Sequence, residues 1–204
     1  MKIEALTFDG QKLLPRLQIF SEFYLAGGTA LALQLGHRIS VDFDFFSPEP
    51  IAEIFLAKFY REFLRDEVKE ILNSPREFSV LANGVKVTFL QYPFALVDDL
   101  VKDAGLKMAS VREIGAMKAY TIGRRSEMKD YVDMRAVLLS GISLNEVCDL
   151  AEKKFGQNFS RKMFLQQLVY LDDVENQAIR FLGGEVNKEG LSGFFADQVR
   201  SLSI

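Results

Sequence analysis

The 204-residue sequence has one cysteine, one histidine and no tryptophan. A single cysteine cannot form a disulfide within the chain, and this usage is typical of a reducing compartment. One cysteine and one histidine cannot build a zinc site, so the metal to expect is a hard cation held by oxygen atoms. The sequence also lacks a long apolar run and an apolar leader, which predicts no membrane span, no signal peptide and a cytoplasmic location.

An excess of positive charge is missing as well. The formal net charge is −3, which excludes a globally basic protein that grips nucleic acid through its overall charge. A local basic surface is still open, because Arg124, Arg125 and Lys129 lie close together in the sequence. Phenylalanine is abundant, with 18 copies in short runs, and this pattern predicts strands packed beneath helices.

The first half of the chain alternates between helical and strand patterns. Apolar residues recur at helical spacing after Gly10, and an Asn83-Gly84 pair between two alternating segments predicts a hairpin. We expect helices over 10–22, 29–35 and about 50–72, and strands over 23–26, 41–46, 76–82, 85–91 and 106–109.

The second half reads almost entirely as helix, with breaks at glycines. The fold class is therefore α/β (α+β), with a mixed sheet flanked by helices in residues 1–110 and a helical bundle in residues 111–204 that completes a cleft. The helices are expected over 111–123, 127–139, 143–155, 161–172 and 191–202.

Asp42 and Asp44 are the first candidates for chemistry. Residues i and i+2 of a strand share a face, with Cα atoms about 7 Å apart, so both carboxylates can reach one Mg²⁺. Two neighbouring acids on an apolar strand are costly, because like charges repel and burial adds a desolvation penalty. A metal ion would remove that cost, whereas the alternative is a strand whose polar face simply meets water.

A Gly27-Gly28-Thr29 turn separates a predicted strand from a predicted helix. Such a turn gathers free backbone N–H groups at the positive end of the helix dipole, and glycines let phosphate oxygens approach the backbone. Thr29 can cap the helix or donate its hydroxyl to a phosphate. The alternative is a tight turn that needs glycine only for its backbone angles, but this turn followed by Asp-x-Asp is much less common than either part.

Two stretches resemble a known family. Residues 25–46 read LAGGTALALQLGHRISVDFDFF, which resembles the signature of the AbiEii/AbiGii toxin family of nucleotidyltransferases, a branch of the DNA polymerase β-like nucleotidyltransferase superfamily. Residues 117–133 read MKAYTIGRRSEMKDYVD, which resembles the second conserved region of the family. The two stretches lie in the expected order, so the resemblance covers most of residues 20–140.

The resemblance implies an enzyme that uses Mg²⁺ (or Mn²⁺) to move a nucleotide from an NTP to an acceptor such as a tRNA 3′ end or a protein hydroxyl. It also implies a toxin that pairs with a cognate antitoxin or acts in abortive phage defence. By the same resemblance, the phosphates contact Gly27, Gly28 and Thr29, the metal binds Asp42 and Asp44, Lys118 and Lys129 face the triphosphate, and Asp130 organises the site.

Two segments allow a second interpretation. His37 and Arg38 follow the end of a helix, where cations suit the helix dipole. The functional interpretation makes both residues, with Ser40, part of the nucleotide site, and His37 would orient Asp42 or the nucleotide. Similarly, Asp130 and Asp133 share a helical face, but an ordinary solvated helix also explains these charges.

One position departs from the superfamily pattern. A third carboxylate is expected on the strand over 85–91, and the matching position holds the neutral Thr88. Either another group, such as Asp130, removes the proton from the attacking hydroxyl, or the protein binds nucleotide with weak or no catalysis. A kinase-like enzyme is less compatible with the sequence, which has neither a Walker A motif nor a His-Arg-Asp loop.

Overall fold

The structure is a computed structural model that describes residues 1–125, 127–175 and 177–202. Ser126, which belongs to the second family-like stretch, lies outside the described residues. The strands are β1 (Tyr24–Ala26), β2 (Asp42–Ser47), β3 (Val68–Asn73), β4 (Glu77–Ala82), β5 (Val85–Gln91), β6 (Val101–Asp103) and β7 (Leu106–Met108). The α-helices are α1 (Phe8–Leu17), α2 (Gly27–Leu35), α3 (Glu53–Glu62), α4 (Val111–Thr121), α5 (Met128–Leu139), α6 (Leu144–Phe155), α7 (Arg161–Val169) and α8 (Lys188–Arg200).

The strands form one mixed sheet with the order β3-β4-β5-β2-β1-β7-β6. Strand β2 lies at the centre, where it pairs parallel with β5 and antiparallel with β1. A strand with neighbours on both sides has its backbone hydrogen bonds satisfied, so the side chains of β2 are held in a fixed register with those of β5.

Phenylalanine builds the core between α3 and one face of the sheet. Phe55 of α3 lies 4.7 Å from Phe89 of β5, and Phe59 lies 5.0 Å from Phe78 of β4, measured between ring centroids. These rings meet edge to face, a favourable geometry for aromatic pairs. The prediction that phenylalanine-rich strands pack beneath helices is confirmed, and this packing leaves the opposite face of the sheet to the polar side chains of β2 and β5.

The predicted hairpin is present between β4 and β5. Asn83 and Gly84 both have positive φ, 50° and 80°, as a type I′ turn requires. A two-residue turn fixes the register of the two strands, and it sets Ser79 opposite Thr88 and Glu77 opposite Leu90. Glu77, Ser79, Lys86 and Thr88 therefore lie on the same face of the sheet, as the register set by this turn requires.

The predicted helix over 50–72 is wrong in its second half. Helix α3 ends at Glu62, and residues 68–73 form β3, the edge strand that pairs with β4. The apolar residues of this segment fit a helical period, but pairing with a strand further along the chain overrides local spacing. Strand β6 was not predicted, and α1 begins earlier than expected, since the Thr7 side chain accepts a hydrogen bond from the Gly10 amide and caps it.

The strands end at Met108, and α4 to α8 follow. Serine or asparagine side chains cap four of these helices at their first turns, namely Ser110, Ser143, Ser160 and Asn187. Among the helices in the described ranges, none combines the length and the apolar character needed to cross a membrane.

Candidate active site

A cleft of about 350 Å³ lies between the polar face of the sheet and helices α2, α4 and α5. Its walls carry acids and bases in similar number. The charged lining residues are Arg38, Asp42, Asp44, Glu77, Lys86, Lys118, Arg125, Glu127 and Lys129.

Asp42 and Asp44 both line this cleft. Along β2 the exposure alternates, so Phe43 and Phe45 are buried while Asp42 and Asp44 turn to the opposite side. Asp44 lies opposite Ala26 of β1, directly before the glycine pair. A Cβ added to Gly27 would lie 3.3 Å from Asp44 Oδ2. The acids and the glycine turn therefore share one cleft, as the sequence predicted.

The acid pair lacks a countercharge within hydrogen-bonding distance. No ion pair joins Asp42 or Asp44 to any cation in the described part of the chain. Burial, followed by repulsion from Asp42, raises the pKa of Asp44 to about 6, although Lys86, Lys118 and Lys129 oppose the rise. A carboxylate with a raised pKa is one that gains from a cation placed beside it.

The first turn of α2 presents its backbone to the same cleft. Gly27 has φ +63°, a left-handed conformation that favours glycine. The residue before the helix is Ala26, which offers no side-chain cap, so the first amides of α2 are left free of the partner that serine or threonine would supply. A Cβ on Gly28 would overlap the guanidinium of Arg38. Gly28 therefore makes room for the Arg38 guanidinium, and the uncapped amides of this turn, together with that cation, can accept an anion.

Thr29 and Ser40 do not serve the cleft through their side chains. The Thr29 hydroxyl bonds to Ser40 Oγ at 2.7 Å and donates to the carbonyl of Asp42, so it fastens α2 to the start of β2. Ser40 is buried and is not part of the cleft wall. The predictions of a phosphate contact for the Thr29 hydroxyl and of a place in the nucleotide site for Ser40 are corrected, because both hydroxyls already bond within the protein. Thr29 is also not the cap of α2.

Lys118 is buried at the back of the cleft between two carboxylates. Its Nζ lies 2.7 Å from Asp130 Oδ1 and 2.6 Å from Asp133 Oδ2. Burial opposes the charge of Lys118, but the attraction of Asp133 and Asp130 outweighs it and raises the pKa of the ammonium group. Lys118 therefore stays charged, and its ammonium group is fixed in place where it borders the cleft.

Asp133 is the centre of this ionic network. Arg38 donates to it from Nε at 2.7 Å and from Nη2 at 3.0 Å, a bidentate pair. Burial would raise the pKa of Asp133, but Lys118 and Arg38 hold it well below the usual range. Because Arg38 also lines the cleft, Asp133 orients two of its cations from behind.

Asp130 is fully buried and both of its oxygens are occupied. Arg125 donates to them at 2.7 and 2.9 Å, in addition to Lys118. Burial favours the neutral form, yet Lys118 and Arg125 lower the pKa of this carboxyl. The suggestion that Asp130 replaces the missing base is therefore wrong, because a carboxylate with a lowered pKa and no free oxygen is a poor proton acceptor. Its contacts do match the organising position expected for it.

His37 does not reach the cleft. Its Nε2 lies 2.7 Å from Asp133 Oδ1, and His37 is not among the residues that line the cleft. The ring borders a separate cavity between α2, α5 and the segment over 181–186. The prediction that His37 orients Asp42 or the nucleotide is corrected, since its neighbour is the carboxylate that holds Arg38.

The basic side chains near α5 differ in how firmly other groups hold them. Arg124 donates to the carbonyls of Tyr120 and Asn158 at 2.6 Å each, so it is tied to the helical part of the chain. Lys129 lies at the rim, 2.9 Å from Glu127 Oε2, with its side chain 36% exposed. Of these residues, Lys129 is therefore the one that can turn towards an anion in the cleft.

Thr88 occupies the position in which the third acid was expected. It lies in register with Asp44 across the β2–β5 pair and lines the cleft. Sequence reasoning missed Glu77, which lines the cleft one strand further away. The signal was available, because the hairpin turn places Glu77 and Ser79 on the same face as Thr88.

The donor set fits a hard divalent cation that keeps other ligands. The described residues contain no group of three or more metal-binding side chains of the His, Cys, Asp or Glu type. Asp42 and Asp44 would therefore supply two carboxylates, and phosphate oxygens and water would supply the remaining ligands. This is how Mg²⁺ is commonly bound in sites that handle nucleotides.

Comparison with known families and proteins points in the same direction. A family model described as nucleotidyl transferase AbiEii toxin, Type IV TA system, matches residues 11–97. This range holds the glycine pair and both aspartates and ends before Lys118. The uncharacterized protein aq_aa25 of Aquifex aeolicus is 32% identical over 189 residues, which cover 90% of this chain and 89% of that protein.

Solved structures share the fold at low identity. JHP933 from Helicobacter pylori has a TM-score of 0.61 at 14% identity, over 97% of this chain and 90% of its own. The Megavirus polyadenylate synthase has a TM-score of 0.50 at 13% identity, over 65% of this chain and 31% of its own. Both likenesses concern the fold alone.

Proposed function

Because this chain belongs to the AbiEii nucleotidyltransferase toxin family and has the nucleotidyltransferase fold, we propose that it transfers a nucleotide from an NTP to an acceptor hydroxyl with Mg²⁺ held by Asp42 and Asp44. The observation that supports this function most directly is the position of the acid pair. Asp42 and Asp44 both line the cleft and form no ion pair within the described residues, and Asp44 Oδ2 lies 3.3 Å from where a Cβ of Gly27 would be. A triphosphate and a divalent cation can bind side by side only if the glycine turn and the two acids face the same cleft.

Each residue then has a defined task. When bound, Mg²⁺ would neutralise the charge that builds on the α-phosphate and on the leaving pyrophosphate. The amides of Gly27 and Gly28 would bind phosphate oxygens at the positive end of α2. Lys118 and Arg38, held in place by Asp133, would add fixed positive charge, and Lys129 would close on the triphosphate from the rim.

We propose the 3′ end of tRNA as the first acceptor to test, because two cations that line the cleft, the exposed Lys86 and the partly exposed Lys129, suit a polyanion. The purified protein would be incubated with Mg²⁺, each labelled NTP in turn, and bulk tRNA. Label is expected to enter the RNA and pyrophosphate to be released. No transfer by the wild type, or equal transfer by Asp44→Ala, would contradict the function; label in protein instead would move the acceptor to a side-chain hydroxyl.

A toxin role is the second part of the proposal, and family membership supports it. Induced expression in a bacterial host is expected to stop growth, whereas Asp44→Asn is expected to be harmless at the same protein level. A cognate antitoxin encoded beside the gene should restore growth when it is co-expressed. Growth arrest by both forms alike would separate toxicity from nucleotide transfer.

A catalytically weak nucleotide-binding protein is the alternative, and Thr88 is the observation that favours it. Calorimetry with NTP analogues that cannot be cleaved between the α- and β-phosphates measures binding, and a pyrophosphate assay with ordinary NTPs and an acceptor measures turnover. Metal-dependent binding of the analogue without pyrophosphate release from NTPs would support the alternative, whereas binding with release supports the enzyme.

A further inference from the structure

The attacking hydroxyl must lose its proton, and few acids near the cleft are free to take it. Asp130 is fully paired, Glu127 pairs with Lys129, and Asp42 and Asp44 are the proposed metal ligands. Glu77 is different. In the described part of the chain its carboxylate forms no ion pair, and it accepts a hydrogen bond from the hydroxyl of Ser79 at 2.6 Å.

The hydroxyl of Ser79 also contacts a residue that lines the cleft. Ser79 is 1% exposed, and its Oγ lies 3.3 Å from Thr88 Oγ1. Thr88 in turn lies in register with Asp44 and lines the cleft. Thr88 on β5 and Ser79 and Glu77 on β4 therefore form a continuous hydrogen-bonded line, and this line begins at the position in register with Asp44.

The direction of this line follows from counting protons. Each hydroxyl has one proton, and an ionised carboxylate can only accept. Ser79 donates its proton to Glu77, so Thr88 must be the donor in its contact with Ser79. Thr88 Oγ1 then keeps its lone pairs for an incoming hydrogen bond, and because Thr88 lines the cleft, a hydroxyl bound beside Asp44 can supply that bond.

We propose that Thr88 and Ser79 form a proton relay that delivers the proton of the acceptor hydroxyl to Glu77, which replaces the missing third acid of the site. This rests on the proposed nucleotide transfer. As the acceptor oxygen bonds to the α-phosphorus, its proton moves to Thr88, the proton of Thr88 moves to Ser79, and the proton of Ser79 moves to Glu77. The bond between the α-phosphorus and the bridging oxygen breaks, and pyrophosphate leaves with that electron pair.

Substitutions of Thr88 test the relay with little change of shape. Thr88→Val keeps the volume but removes the hydroxyl, whereas Thr88→Ser keeps the hydroxyl. In pyrophosphate release from a mixture of NTPs with Mg²⁺ and bulk tRNA, Thr88→Val is expected to be slower by about 10²-fold or more, and Thr88→Ser to stay within about threefold of wild type. Equal rates for the two variants would overturn the relay.

Glu77→Gln tests the end of the relay. It is expected to lose about 10²- to 10⁴-fold in rate, with NTP affinity unchanged in calorimetry. The double variant with Thr88→Val should be no slower than the slower of the two single variants, because both break the same path. Glu70→Gln on β3, whose carboxylate bonds to Tyr60 on the α3 side of the sheet, is the matched control and should match wild type.

The outcomes separate the relay from the function itself. A wild type that releases no pyrophosphate would end both. A wild type that is active, is silenced by Asp44→Asn and is unaffected by Glu77→Gln would keep the transferase and reject the relay. Additive losses in the double variant would also reject it, since independent effects do not share one path.

Discussion

The two walls of the cleft hold their charges in opposite ways. On the strand wall, Asp42 and Asp44 form no ion pair with any cation among the residues that the structure describes. On the helix wall, Asp130 and Asp133 are completely buried and paired with Lys118, Arg38 and Arg125. The first arrangement is incomplete until a cation binds, whereas the second is complete in the protein alone. We infer that the strand wall is built for ligand and the helix wall for positioning.

This contrast predicts that acids on the two walls respond differently to the same substitution. Asp133→Asn should have the largest effect, because it leaves Arg38 buried without its carboxylate and leaves Lys118 with Asp130 alone. We expect a loss of about 3–5 kcal/mol in the free energy of unfolding, measured by urea denaturation. Asp197→Asn, which breaks an exposed pair with Arg200, is the control and should change stability by less than about 1 kcal/mol. A small loss for Asp133→Asn would show that the helix wall is not a structural unit.

Asp44→Asn should have the opposite profile, with a large effect on catalysis and little effect on stability. We expect nucleotide transfer to fall about 10³-fold, equivalent to about 4 kcal/mol in the barrier, because the metal site loses a ligand. The melting temperature of the metal-free protein should stay the same or rise, since one member of a repelling pair has been neutralised. Unfolding of this variant at moderate temperature would contradict the assignment of Asp44 to a ligand site.

The pH dependence of stability should also differ between the walls. In the presence of EDTA, Asp44 has a folded-state pKa of about 6, above the value of 3.8 for an ordinary aspartate. Protonation therefore favours the folded state, and the free energy of unfolding should rise by about 1–2 kcal/mol as the pH falls from about 7 to about 5, relative to Asp44→Asn. Excess Mg²⁺ should abolish this gain.

The acids of the helix wall should change the free energy of unfolding in the opposite direction, and at lower pH. Asp130 and Asp133 have folded-state pKa values below 3.8, so their contribution is complete above that value and is lost as the pH falls towards the folded-state values. Equilibrium unfolding at several pH values would check both slopes. A single slope shared by wild type and Asp44→Asn between about pH 7 and about pH 5 would contradict the contrast.

The smallest effect is expected at the rim. Lys129 pairs with Glu127 in a half-exposed position, where water and salt screen its charge. Lys129→Ala should weaken NTP binding by about three- to tenfold, with a weaker dependence on salt, and should leave the melting temperature unchanged. Lys12→Ala, far from the cleft on α1, is the control for a lost surface charge. A loss as large as that of Asp44→Asn would place Lys129 among the groups that the reaction itself needs.

The sequence predicted the strand wall well. Alternation placed Asp42 and Asp44 on one face, the Asn83-Gly84 pair fixed the hairpin, and the position of Thr88 followed from these two. These features depend on local periodicity and turn geometry, which a sequence displays directly. The strands that pair with β2 were harder to predict, because local sequence does not show that a strand pairs with one far along the chain.

The helix wall was harder to predict. His37, Ser40 and the Thr29 hydroxyl were expected in the nucleotide site, but their partners lie behind it. Whether a polar side chain faces a ligand or a buried partner depends on which elements meet in three dimensions. Asp133 was noticed only as the helical neighbour of Asp130, and its contact with Arg38 joins segments that lie far apart in sequence. The segment over 68–73 was predicted as helix for the same reason.

The parallel pairing of β2 with β5 has a consequence for how the chain folds. The β4–β5 hairpin closes through a two-residue turn, whereas β2 must wait for α3, β3 and that hairpin before it can dock beside β5. Long-range pairings form late, because loop closure costs entropy before contacts are gained. We expect pulse-labelled hydrogen exchange to protect the β4-facing amides of β5 before those that face β2. The two aspartates would then be brought beside Thr88 in one of the last steps of folding.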